Sequence, residues 1–133
     1  MYGLECIFMP YDEHTCNILY DSAYSVQPNK ASFGLQLIEQ ALFDERTDKA
    51  AIISPKGCTG VASYHISDHA LRIWGFGVVE PKQGHGTFLM NAMKEHARRK
   101  GCTKIEAMGV LNNAAGFYHK NGFDSFMVCR LSN

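Results

Sequence analysis

The chain has 133 residues, so we expect one domain with enough core to fold without disulfides or metal. Thirteen Lys and Arg residues balance thirteen Asp and Glu residues, which excludes a generally basic surface for gripping nucleic acid. With 46% hydrophobic and 20% charged residues, the composition is that of a globular protein and excludes a disordered one.

Cysteine usage and the absence of targeting patterns indicate the cellular compartment. The five cysteines are odd in number and scattered, which is typical of reduced thiols in a core. No basic segment followed by an apolar one opens the sequence, and no apolar run approaches the ~20 residues that span a bilayer. We therefore expect a cytoplasmic protein with neither a membrane nor a nucleic acid as partner. The sequence leaves a homodimer open.

Apolar spacing, turn residues and helix caps predict ten elements. In chain order they are a strand over 2–8, a short helix and loop over 12–30, a helix over 33–45 capped by Ser32, three strands over 50–54, 60–66 and 70–76, a loop over 77–86, a helix over 87–100, a strand over 104–108, a helix over 113–120 and a strand over 125–131. This order predicts one α/β domain over residues 1–133, with a central mixed, mostly antiparallel sheet flanked by helices.

The loop between the third hairpin strand and the next helix carries the clearest chemical signal. Gly84 and Gly86 let the backbone approach a ligand, and the N–H groups at the following helix start form an anion site. This pattern favours a phosphate-bearing ligand, although a purely structural glycine turn explains it too. It is not a Walker A loop, because Thr87 and Phe88 follow Gly86. It is not a dinucleotide fingerprint either, because Leu89 stands where a third small residue is needed.

Two blocks resemble the GNAT superfamily of N-acetyltransferases. The run Gly-His-Gly-Thr-Phe-Leu-Met-Asn from residue 84 is similar to the pyrophosphate loop of that superfamily, closest in motif to its histone acetyltransferase-like branch. The run Ala-Gly-Phe-Tyr-His-Lys-Asn-Gly-Phe from residue 115 resembles its late helix. Together the likeness covers roughly residues 50–125 and implies a single GNAT-like domain.

The resemblance implies an enzyme that transfers acetyl from acetyl-CoA, as co-substrate, directly to a primary amine of a small molecule or of a protein or peptide. In the resemblance Tyr118 matches the tyrosine that gives a proton to the departing CoA thiolate. We expect no metal, because no Cys or carboxylate completes a ligand set with His65 and His69. The implied cofactor contacts are Trp74, Gly75 and Phe76 on the strand edge, Lys82, Gln83, Gly84, His85, Gly86 and Thr87 in the loop, and Asn113, Ala114 and Gly116 at the late helix.

The sequence departs from the family pattern at the general base. The histone branch has a glutamate early in the third hairpin strand, where this chain has Ala70. The amine would then lose its proton to water or to Asp68, His69 or Glu106. Each of these has an ordinary structural explanation as well, as a polar turn residue or a solvated strand position.

Ala70 and Pro81 keep a second class of function open, and Leu111 is a further departure from the family pattern. Pro81 stands where an Arg or Gln is usual in the loop, and Leu111 stands where an asparagine is usual before the late helix. A non-catalytic acyl-CoA-binding regulatory module is therefore the alternative to the enzyme. Tyr118 is a packed core aromatic under that alternative, and the tyrosines of the 11–24 segment either line an acceptor pocket or fill the core.

Overall fold

The computed structural model describes residues 3–132, so Tyr2, at the start of the first predicted strand, lies outside the described residues. The strands are β1 (Glu5–Met9), β2 (Asp48–Ser54), β3 (Gly57–Ser67), β4 (Ala70–Val78), β5 (Lys104–Ala107) and β6 (Val128–Arg130). The helices are α1 (Glu13–Val26), α2 (Phe33–Leu42), α3 (His85–Arg99) and α4 (Ala115–Lys120), the last preceded by a 3₁₀ turn over Asn112–Ala114.

The six strands form one sheet in the order in which they follow one another in the chain. Every neighbouring pair is antiparallel except β4 and β5, which run parallel over only four residue pairs, from Ala70↔Lys104 to Ile73↔Ala107. The predicted fold class, a mixed and mostly antiparallel sheet flanked by helices, is confirmed.

Two helical layers cover the two faces of the sheet, and each buries its own apolar cluster. On one face α1 and α2 pack against β3 and β4 through residues such as Leu35, Ile38 and Val61. On the other face α3 and α4 pack against the sheet centre. Both clusters consist of side chains that lie on one stripe of a helix or one face of a strand, so burial of apolar area holds the three layers together.

The α1 segment is more helical than predicted. The sequence predicts a short helix and loop over 12–30, whereas α1 has 14 residues. The Asp12 side chain caps it by accepting a hydrogen bond from the Thr15 amide at 2.9 Å. Cys16, Leu19 and Ala23 then form a buried stripe at helical spacing, which supplies the packing that keeps the helix intact.

The last strand is shorter than predicted, because a turn occupies the first part of the predicted range 125–131 and leaves only Val128–Arg130 in β6. The Asp124 carboxylate accepts hydrogen bonds from the amides of Phe126 and Val128, and Met127 adopts a φ of 58°.

The other boundary corrections are small. The helix predicted over 33–45 ends at Leu42, and the one predicted over 87–100 begins two residues earlier, at His85. Gly77 and Val78, predicted in the loop, belong to β4, and Asn113 and Ala114, predicted in the late helix, belong to the 3₁₀ turn. In residues 3–132, no helix is long and apolar enough to cross a membrane.

Candidate active site

The C-terminal half of β4 lacks a strand on its β5 side. Pairing with β5 stops at Ile73, where the amide of Met108 donates the last hydrogen bond across the gap at 2.9 Å. Trp74 is an extra residue in β4, since Ser63 pairs with Gly75 and Tyr64 with Ile73. Such a bulge bends the strand, and it marks where β4 and β5 separate. From Trp74 onward the edge of β4 offers backbone groups to a ligand.

Helix α2 covers one face of this open half at very short range. A Cβ atom on Gly75 would lie 3.2 Å from the Ala41 Cα, and one on Gly77 would lie 2.6 Å from the Leu37 Cβ. A Cβ on Gly34 would run into the carbonyl oxygen of Val78. Glycine at these positions therefore lets α2 lie directly against the strand and form one wall of a cleft.

The loop after β4 delivers the exposed amide groups of the α3 N-terminus to the same cleft. Lys82 and Gly84 both have left-handed backbones, with φ of 64° and 78°, and Gly84 occupies the N-cap position. No side chain caps the helix, so its first N–H groups are available to an anion. A Cβ on Gly86 would lie 3.1 Å from the Phe117 ring, which explains a glycine there.

Two adjoining cavities make up the cleft. The first, called here the splay cavity, has a volume of about 380 Å³ and lies where β4 and β5 separate. The second, called the loop cavity, has a volume of about 650 Å³ and lies beside the α3 N-terminus. They share Leu37, Phe76, Ala114 and Tyr118. The splay cavity is also lined by Phe33, Gln40, Asp44, Trp74, Gly75, Leu111 and Asn113, and the loop cavity by Pro81, Lys82, Gly84, Gly86, Thr87 and Lys120.

Tyr118 stands at the junction of the two cavities. Its side chain is buried and held in an aromatic cluster, with ring centroids 5.4 Å from Phe117 and 5.2 Å from Phe123. Its hydroxyl makes no hydrogen bond with any described residue. Burial raises the pKa of Tyr118 to about 12, so the hydroxyl keeps its proton at neutral pH. The arrangement suits a proton donor to a ligand in the cleft.

A buried lysine fixes the far end of α2. The Lys49 side chain is fully buried, and its Nζ donates to the carbonyl oxygens of Ala41 and Asp44 at 2.7 and 2.6 Å and to Thr47 Oγ1 at 2.8 Å. The amine thus satisfies carbonyls that the end of a helix leaves unpaired. Burial lowers the pKa of this ammonium.

The structure brings most of the predicted cofactor contacts together, but not all. Trp74, Gly75, Phe76, Lys82, Gly84, Gly86, Thr87, Asn113 and Ala114 all line the cleft. Gln83 and His85 instead line a separate cavity of about 250 Å³ beside Thr59 and Glu80. Gly116 is exposed on α4 and lines neither part of the cleft.

The three predicted base candidates lie away from the cleft. Asp68 and His69 form the β3–β4 turn with φ of 51° and 62°. At about 3.3 Å per residue, the five residues of strand from His69 to Trp74 span ~16 Å. Glu106 is ion-paired to Arg72 at 3.4 Å and to Lys104 at 3.3 Å. This placement gives a base role for these residues no geometric support.

Two residues that the sequence did not single out line the cleft. Lys120 joins Lys82 on the loop cavity, where the two ammonium groups complement an anion. The sequence signal that could have identified Lys120 is its position at the end of the late helix. Asp44 is the one carboxylate among the described residues that line the splay cavity. The tyrosines of the 11–24 segment do not line the cleft, and Tyr11 and Tyr20 pack against the α1–α2 core.

The family model of the GNAT acetyltransferases matches residues 14–123. The chain is a member of the GNAT family. As a member it is an acyltransferase, which favours the enzyme over the non-catalytic module. No curated protein matches the sequence at a significant level.

Solved structures show the same fold at low sequence identity. Tetrahymena GCN5 has a TM-score of 0.68 at 16% identity, with 96% of each chain covered. The catalytic domain of the Tetrahymena GCN5 histone acetyltransferase in complex with coenzyme A has a TM-score of 0.63 at 20% identity, covering 92% of this chain and 78% of that one. The aminoglycoside N-acetyltransferase AAC(6')-Iy in complex with CoA has a TM-score of 0.61 at 13% identity, covering 92% and 89%. Because these proteins act on different acceptors, the shared fold leaves the acceptor of this GNAT protein unidentified.

Proposed function

We propose that this GNAT protein transfers an acetyl group from acetyl-CoA directly to a primary amine. The single observation that carries the proposal is the continuous cleft, which joins an uncapped helix N-terminus, an unpaired strand edge and the Tyr118 hydroxyl. These three features fit the three parts of an acyl-CoA, namely its phosphates, its amide-bearing arm and its thioester.

Different residues of the cleft would bind different parts of acetyl-CoA. The α3 N-terminal amides would bind the pyrophosphate, with Lys82 and Lys120 adding positive charge. The β4 edge from Trp74 to Phe76 would pair with the amide groups of the pantetheine arm. Phe76 and Ala114 line both cavities and would enclose the arm between them.

Acetyl-CoA supplies an activated thioester, and the chain supplies orientation and a proton. The amine nitrogen bonds to the acetyl carbon as the bond from that carbon to sulfur breaks. The Tyr118 hydroxyl, 6% exposed as a residue and without a protein partner among the described residues, gives its proton to the sulfur. The proton that the amine loses passes to water, and water returns a proton to Tyr118. No covalent acyl-enzyme is needed. Desolvation raises the pKa of the half-buried thiol of Cys6 and of the buried thiol of Cys58, which disfavours a nucleophilic thiolate.

The first experiment is a calorimetric titration of acetyl-CoA, with CoA for comparison, followed by turnover of Tyr118→Phe. We expect the unmodified protein and Tyr118→Phe to bind acetyl-CoA with micromolar affinity. We expect kcat of the variant to fall by about 100-fold or more, as for loss of a general acid. Tyr64→Phe is the matched control. Tyr64 is equally buried, its pKa is also raised to about 12, and its hydroxyl lies 3.3 Å from His96 Nε2, away from the cleft.

Product formation is best measured by mass spectrometry, because the five cysteines react with thiol reagents. Absence of acetyl-CoA binding at millimolar concentration would contradict the proposed function. Equal losses of kcat in Tyr118→Phe and Tyr64→Phe would remove Tyr118 from the proton-donor role while leaving the cleft assignment intact.

A further inference from the structure

The splay cavity combines an apolar surface with a single carboxylate, which bears on the identity of the acceptor. Phe33, Trp74 and Leu111 line it and are 45%, 52% and 54% exposed, although side chains of this size are normally covered. Exposed apolar groups gathered around one cavity mark a surface that a ligand covers. They come from α2, from the β4 bulge and from the loop before α4, so they surround the cavity from three sides.

The order of contacts along α2 places the carboxylate at one end of the cleft. Gly34 lies against Val78, next to the loop, and Ala41 lies against Gly75. Asp44 comes three residues after Ala41, so it lies beyond Gly75, toward the part of β4 that still pairs with β5. The N-terminus of α3 and the Asp44 carboxylate are thus at opposite ends of the same groove.

The Oδ2 oxygen of the Asp44 carboxylate can accept a hydrogen bond from a ligand. Oδ1 accepts from the Arg46 amide and from Arg46 Nε, both at 3.1 Å, whereas no described residue donates a hydrogen bond to Oδ2. The Arg46 side chain is 89% exposed, so this ion pair is weak. Lys49 uses all three of its donors on two carbonyls and on Thr47, which leaves none for the carboxylate. The hydrogen bonds from Arg46 hold the pKa of Asp44 below its usual value, so it is ionised at neutral pH.

The number of charged side chains that line the splay cavity distinguishes monoamines from polycations as acceptors. Asp44 is the single charged side chain among the described residues that line the splay cavity. One carboxylate matches one ammonium, and the Trp74 face adds cation–π attraction. A polycation would bring its other charges against Trp74 and Leu111, which offer them no opposite charge in exchange for water.

We propose that the acceptor is a monoamine with an aromatic or aliphatic body. Asp44 holds its ammonium group, and Trp74 and Leu111 hold its apolar body. The ammonium gives its proton to water before the nitrogen attacks. This inference rests on the proposed acetyl transfer and adds the class of acceptor to it.

The test compares acceptors at fixed, saturating acetyl-CoA. The panel contains 2-phenylethylamine, tryptamine and hexylamine as apolar monoamines, and spermidine, kanamycin and a lysine-rich peptide as polycations. We expect kcat/KM for 2-phenylethylamine to exceed that for each polycation by about tenfold or more, the loss that one unpaired buried charge produces.

Asp44→Asn tests the carboxylate with little change of shape, since the amide oxygen still accepts from Arg46. We expect KM for 2-phenylethylamine to rise by about tenfold while kcat changes by less than about threefold, because the charge acts in binding. Asp21→Asn, on the exposed face of α1, is the matched control and leaves both constants unchanged.

Binding is also visible without turnover, because Trp74 is the only tryptophan of the chain and lines the cavity. We expect 2-phenylethylamine to change the tryptophan fluorescence of the CoA complex, and Asp44→Asn to weaken that titration by the same factor as KM.

The outcomes separate the two proposals. Better use of spermidine or the peptide than of the monoamines, or an unchanged KM in Asp44→Asn, would overturn the inference and leave acetyl transfer standing. If acetyl-CoA binds and no amine on the panel is acetylated, both fail.

Discussion

The two halves of β4 differ in what lies beside them. From Ala70 to Ile73 the strand is paired on both edges, and Arg72 forms an ion pair with Glu106 of the neighbouring strand. From Trp74 to Val78 it is paired with β3 alone, and its other edge faces the cleft. One strand is therefore ordinary sheet at its start and has an unpaired edge beside a cleft at its end.

The difference shows how a sheet can be opened without losing its order. In the open half, glycines at 75 and 77 face α2, so the helix approaches the backbone and supports the strand from one face. Phe76 points to the opposite face and packs against Phe117 at 5.3 Å between ring centroids. Support from a helix, from β3 and from an aromatic cluster replaces the missing strand, and it is this free edge that we propose pairs with acetyl-CoA.

The largest expected effect comes from separating α2 from the open half. Gly34→Ala places a methyl group against the carbonyl of Val78, a backbone atom that cannot rotate away. We expect the free energy of unfolding to fall by about 3 kcal/mol, the upper range for overpacking. Gly116→Ala is the control in denaturant melts, since a Cβ there meets nothing within 4 Å and alanine favours a helix by about 0.5–1 kcal/mol. Equal stability of the two variants would contradict the close approach of α2.

A smaller effect is expected from releasing the other end of α2. Lys49→Met keeps the buried aliphatic stem and removes the amine that pairs with Ala41 and Asp44. Leaving these carbonyls without their donor costs about 2 kcal/mol of unfolding free energy.

The pH dependence of the same variant gives a second readout. Because burial lowers the pKa of Lys49, the unfolded chain binds more protons wherever this group titrates, and stability there rises with pH. Lys49→Met loses this rise, whereas Lys56→Met, an exposed lysine beyond the β2 end, retains it. Denaturant melts at several alkaline pH values check both statements.

Features set by a few adjacent residues could be predicted from the sequence. Ser32 caps α2, as its position before a helical stripe predicts, and accepts from the Leu35 amide at 3.3 Å. The strand–loop–helix unit around Gly84 was also predictable, because glycine, helix start and anion site are local properties. The sequence therefore predicted the order of the elements and the glycine loop that lines one end of the cleft.

Features set by packing between distant segments could not be predicted. Lys49 reads as an ordinary charged residue at the start of a strand, and only the position of α2 makes it buried. Asp44 falls in the last turn of the helix predicted over 33–45, and only the contact of α2 with β4 brings it to the cleft. His85 was placed on the cofactor because it lies between two glycines, whereas its direction at the helix start decides that it lines another cavity.

The smallest effect is expected in the paired half of β4. Glu106→Gln removes the ion pairs with Arg72 and Lys104 at side chains that remain about a quarter exposed. We expect a loss of about 0.5 kcal/mol in unfolding free energy, as for partly exposed ion pairs, and kcat/KM within about twofold of the unmodified protein.

His69→Ala and Asp68→Asn, in the adjoining turn, should behave alike. A fall of kcat/KM of about tenfold or more in any of the three, with acetyl-CoA affinity preserved, would mean that the paired half takes part in proton removal. The division of β4 into a structural and a ligand-binding half would then be wrong, because the base would lie in the paired half, beside the Glu106 ion pairs.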